Sequence, residues 1–80
     1  MCKEKNRNLK HINFYKQVGD NIRKYRKEKQ LSQESLAFEV GSTRNYIGCI
    51  ERAEKFPSLG LLFDVAKVLN IEVKELFNFK

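Results

Sequence analysis

Residues 31–52 read Leu-Ser-Gln-Glu-Ser-Leu-Ala-Phe-Glu-Val-Gly-Ser-Thr-Arg-Asn-Tyr-Ile-Gly-Cys-Ile-Glu-Arg, and the fold turns on how this stretch is read. Ser32 is a favourable N-cap, and Glu34 stands in the first turn, where the helix dipole favours an acid. Leu36, Ala37 and Val40 form the buried stripe of that helix. Gly41 then sits where a left-handed residue ends it, a conformation that is cheap for glycine alone. Thr43 caps a second helix, which Ile47 and Ile50 bury on one side, with Tyr46 at the edge. Arg44, Asn45, Gly48, Cys49 and Arg52 fall on the opposite side. Two short helices, a tight turn and a polar outward face make the form of a helix-turn-helix, which lays its second helix in the major groove of DNA.

Upstream, Phe14, Val18, Ile22 and Tyr25 recur at helical spacing on one face, with Lys16, Arg23, Lys24, Arg26, Lys27 and Lys29 between them. This first helix is expected to end near Lys29 or Gln30. Residues 1–12 are polar without a sustained period and read as a mobile basic arm. Downstream, Ala53 to Phe56 form a loop closed by Pro57, and Ser58 caps a fourth helix carrying Leu62, Val65, Ala66 and Leu69. Asn70 can take the left-handed stop. Ile71 to Phe77 then reads as a short fifth helix, with Leu76, Phe77 and Phe79 crowded near its end. No period-two run is long enough for a sheet. The expectation is an all-α, compact five-helix bundle over residues 13–80, with the helix-turn-helix at about 33–52.

The chain has 80 residues and a net charge of +6, enough for one domain with a small core. Such domains often gain stability by dimerising. The charge is uneven, with ten Lys or Arg against three acids in residues 1–29 and six against seven in residues 30–80. That asymmetry points to a polyanionic partner, nucleic acid rather than membrane. No apolar run approaches the roughly 20 residues that span a bilayer. The N-terminus lacks a signal-peptide core. Cys2, Cys49 and the lone His11 make no zinc spacing, and the simplest assignment is a cytosolic, nucleoid-associated protein of bacterial or phage type with reduced thiols. There is no carboxylate pair, nucleophile–base arrangement or phosphate-cradling loop, so neither catalysis, a cofactor nor a metal is expected.

Several motifs then act together: Ile22-Arg-Lys-Tyr-Arg, Leu31-Ser-Gln-Glu, Leu36-Ala, Val40-Gly, Tyr46-Ile, Ile50-Glu-Arg, Pro57-Ser and Glu75-Leu-Phe. Over about residues 22–77 the chain resembles the Cro/phage-repressor family of helix-turn-helix transcription regulators, with a lambda-repressor-like fold. The resemblance implies that Gln33 bonds a phosphate and braces the first residue of the third helix, and that Arg26 pairs structurally with Glu51. It gives Arg44 and Asn45 to base edges, and Thr43 and Arg52 to positioning. The run from Thr43 to Arg52 is most similar to the controller proteins of restriction–modification systems, small DNA-binding domains that dimerise through their last helix. Two departures stand out. Gln30 occupies a position where the family usually has glycine, and Ser42 one where it usually has a buried aliphatic.

The expected function is sequence-specific transcription regulation by a homodimer on a pseudo-palindromic operator, blocking or recruiting RNA polymerase. Arg44 can bond guanine O6 and N7 together, a discrimination of about 1–3 kcal/mol. Asn45 suits adenine, a thymine reached through water, or support of the helix start, and Gly48 and Cys49 complete the base-reading face, where Cys49 either touches a thymine methyl or acts as a redox sensor. Gln33, Thr43, Arg52 and Lys55 are assigned to backbone contact, and Leu76, Phe77 and Phe79 to the dimer interface. Two other classes use the same residues: an antitoxin with autorepressor activity, and a protein-interaction module that has lost DNA binding.

Overall fold

The computed structural model describes residues 11–79; the expected arm over residues 1–10, with Cys2, lies outside the described residues. Four α-helices follow in order: α1 (Ile12–Glu28), α2 (Gln33–Glu39), α3 (Arg44–Glu51) and α4 (Leu59–Leu69). A 3-10 helix spanning Val73–Phe77 closes the chain. Among the described residues there is no strand, and the all-α, lambda-repressor-like reading holds. Two details change. Ile12, placed in the arm, is the first residue of α1. The fifth helix is a 3-10 turn, with Glu75 N donating to Glu72 O at 2.9 Å. Five residues with Val73 at their head are too few to repay the nucleation of an α-helix.

Every helix start that is capped by a side chain carries the cap named by local sequence. Ser32 Oγ accepts from Ser35 N at 2.9 Å, Thr43 Oγ1 from Tyr46 N at 3.1 Å and Ser58 Oγ from Leu61 N at 3.1 Å. Each such cap is worth about 1 kcal/mol.

The helix ends share one device. Gln30, Gly41, Ala53 and Asn70 all have φ between 57° and 70°. Past each of them a backbone N–H reaches back five residues. Leu31 N donates to Arg26 O, Ser42 N to Ala37 O, Glu54 N to Cys49 O and Ile71 N to Ala66 O, at 2.8–3.1 Å. These bonds satisfy carbonyls that the helix itself leaves open. Only one of the four residues is glycine, so Gln30 and Ala53 hold the left-handed backbone against the steric cost of a Cβ.

The core draws on every helix: Val18 and Ile22 from α1, Leu36 and Ala37 from α2, Ile47 and Ile50 from α3, Leu62, Val65, Ala66 and Leu69 from α4, and Leu76 from the 3-10 helix. Phe14 does not join Val18 and Ile22 inside. It is 52% exposed, and its ring stacks on Phe79 with centroids 5.6 Å apart. α3 packs against both α1 and α2. On the α1 side Gly19 is what permits the approach, because a Cβ there would meet the backbone oxygens of Ile50 and Glu51.

Candidate nucleic-acid interface

The face offered by α2, the turn and α3 is built around its first two α3 residues. Thr43 caps the helix, so Arg44 and Asn45 follow immediately, and both are exposed. At the far end Arg52 is exposed and turned onto Glu54, with Nε 3.2 Å from Oε2 and Nη2 3.3 Å from Oε1. Lys55 is half-buried in the loop beyond, where Tyr15 and Phe56 stack with ring centroids 4.1 Å apart. That stack pins the loop to α1.

Gly48 and Cys49 do not belong to the outward face. Both are buried, Cys49 completely. Helical phase puts them one turn above Arg44 and Asn45, but neighbouring side chains cover them. A Cβ on Gly48 would lie 3.1 Å from Arg52 Nη1 and 3.5 Å from Gln33 Oε1, and Arg52 Nη2 stands 3.9 Å from Cys49 Sγ.

Glu51, the last residue of α3, is the hub that fixes this helix. Arg26 Nε donates to its Oε2 at 2.7 Å and Arg26 Nη2 to its Oε1 at 3.1 Å. Gln33 Nε2 donates to Oε1 at 3.0 Å and Arg23 Nε to the same oxygen at 3.4 Å. Arg26 Nη1 also donates to Leu31 O at 2.8 Å, which ties α1 to the approach to α2. Three elements thus meet on one carboxylate. Burial pushes the Glu51 carboxyl up, but the donors from Arg26, Gln33 and Arg23 and the Arg26 charge outweigh it and hold it below its ordinary value. The contact made by Gln33 corrects one expectation: its side chain braces the last residue of α3 rather than the first. Nothing in the sequence pointed to the contact of Arg23 with Glu51.

The C-terminal aromatics divide. Leu76 is fully buried in the chain's own core and presents no surface, which removes it from the expected interface. Phe77 is 41% exposed and Phe79 is half-buried, their rings meeting edge-on at 6.4 Å. Phe14 adds a third ring to this patch. The segment is held to α1 by Asn21 Nδ2, which donates to Leu76 O at 3.0 Å, and by Tyr25 OH, which donates to Glu75 Oε1 at 3.3 Å.

A capped recognition-type helix, braced by a buried carboxylate and following a tight turn, defines a helix-turn-helix protein. The chain matches the helix-turn-helix family HTH_3 over residues 22–76 and belongs to it. It is 44% identical over 59 residues to the control protein C.SmaI of Serratia marcescens, covering 74% of this chain and 70% of that protein. The crystal structure of the restriction-modification controller protein C.AhdI from Aeromonas hydrophila superposes with a TM-score of 0.80 at 40% identity, covering 84% of this chain and 97% of that one. SinR, the master regulator for biofilm formation, solved in complex with DNA, superposes with a TM-score of 0.72 at 37% identity, covering 76% and 98%. The chain is a helix-turn-helix transcription regulator. No helix among the described residues is long and apolar enough to cross a membrane.

Proposed function

We propose that this chain is a restriction–modification controller that binds a pseudo-palindromic operator as a homodimer. The observation that carries the reading is the exposed pair Arg44 and Asn45 at the capped start of α3, on a helix held by the Glu51 hub. Arg44 reads guanine and Asn45 reads adenine, while Gln33, Thr43, Arg52 and Lys55 take backbone contacts that set the register. The likeness to C.SmaI and C.AhdI supports the controller assignment.

Phe77 and Phe79, with Phe14 beside them, form the dimer contact. The two α3 helices then lie about 34 Å apart in successive major grooves. Bound near a promoter, the dimer blocks RNA polymerase or contacts and recruits it. The protein acts in the cytoplasm, where its operator is.

Selection of bound sites from random duplex DNA tests this directly. The expected product is a pair of inverted half-sites whose centres are one helical turn apart. Enrichment of single, unpaired half-sites would contradict the dimer, and no enrichment would contradict sequence-specific binding altogether.

A further inference from the structure

We infer that Arg23 is a phosphate anchor of this interface, a role that rests on the DNA-binding reading above and on the uneven charge around Glu51. Glu51 supplies one negative charge, and Arg26 answers it in full. Arg26 places Nε and Nη2 on the two carboxylate oxygens at 2.7 and 3.1 Å and spends Nη1 on Leu31 O. Arg23 brings a second guanidinium to the same carboxylate through Nε alone, at 3.4 Å. Two guanidiniums on one carboxylate leave one positive charge over.

That surplus resides on Arg23. The side chain of Arg26 is 9% exposed, whereas that of Arg23 is 41% exposed. Among the described residues the Nη groups of Arg23 have no hydrogen-bond partner. The single bond through Nε orders the side chain while leaving the rest of its planar fork for an anion, the geometry in which arginine holds phosphate oxygens best.

Its place in the fold suits the role. Arg23 shares the Glu51 Oε1 oxygen with Gln33 Nε2, so it stands beside the first residue of α2 and the end of α3. Arg52 offers a contrast. Its Nε and Nη2 both face Glu54, whereas Arg23 commits Nε alone and, among the described residues, leaves both Nη groups for an anion.

Binding of the full chain to a mixed-sequence duplex of about 30 base pairs and to the selected operator, measured between about 50 and 200 mM salt, tests the assignment. Arg23→Gln should flatten the dependence of log affinity on log salt by about one unit per bound subunit. The loss should be equal on both duplexes and should persist well below the melting temperature of the variant, which gives up one contact to Glu51, and Arg23→Lys should keep the original slope. A wild-type slope in Arg23→Gln, or a loss that follows a lowered melting temperature, overturns the role. Failure of the unsubstituted chain to bind either duplex instead removes the DNA-binding reading, and is visible before any variant is made.

Discussion

A Cβ placed on Gly19 would stand 2.6 Å from the backbone oxygen of Glu51, closer than real side-chain carbons come. α1 and α3 therefore touch backbone to backbone at the end of α3, beneath the carboxylate hub. Gly19→Ala has to push the two helices apart, and the obstructing atoms are carbonyls that cannot rotate away. It should cost about 1–3 kcal/mol. For a domain of this size each kcal/mol is worth roughly 4–8 °C in melting temperature. Thermal unfolding followed by circular dichroism checks this; an unchanged melting temperature would mean that the helices do not approach so closely.

Glu51 should make stability depend on pH in a defined direction. Its folded-state carboxyl lies below its ordinary value of 4.5, so the unfolded chain takes up the proton first. The stabilisation is complete above 4.5 and is lost as the pH falls through the folded value. Glu51→Gln removes the buried charge from Arg26 and should destabilise by about 3–5 kcal/mol at neutral pH. Melts of both proteins from neutral pH into acid should show the gap between them narrowing below 4.5. A gap that stayed constant would contradict the ionised hub.

Gln30 holds φ +60° at the end of α1 and is exposed, so its side chain contributes little to offset the strain. Gln30→Gly should stabilise the protein by about 1 kcal/mol, the relief of the left-handed backbone exceeding the added freedom of the unfolded chain. Denaturant titration reads this as a higher midpoint with the same slope.

How much of this was legible beforehand depended on range. The three caps, the stop at Gly41 and the stop at Asn70 were readable because each involves groups within a few residues of one another. The stop at Ala53 was not, since alanine carries no sign of a left-handed backbone. The 3-10 helix escaped because apolar spacing over so few residues does not separate it from an α-helix. Helical phase places Gly48 and Cys49 on the outer side of α3, yet phase says nothing of a side chain arriving from another helix, here Gln33. Only family resemblance pairs Arg26 with Glu51, and Arg23 reads merely as one basic residue of the first helix, because residues 25 or more positions apart leave no local trace of their contact.

Leu76 and Phe77 are neighbours in sequence with opposite environments. Density of apolar residues near the C-terminus did not tell core from surface. Leu76→Ala should cost about 2–5 kcal/mol of stability as a cavity in the core. Phe77→Lys should leave the fold intact and lower the apparent mass in sedimentation equilibrium from dimer to monomer. A dimer that survived Phe77→Lys would place the interface elsewhere.

The central claim is that Arg44, at the exposed start of α3, reads a base. Its most direct test is the affinity of Arg44→Ala for the selected operator and for a mixed-sequence duplex at the same salt. A lost guanine contact of about 1–3 kcal/mol per half-site corresponds to a loss of operator affinity of about fivefold to more than hundredfold per subunit. Affinity for the mixed-sequence duplex should change far less. Equal affinity of Arg44→Ala and the unsubstituted protein for the operator would contradict the account.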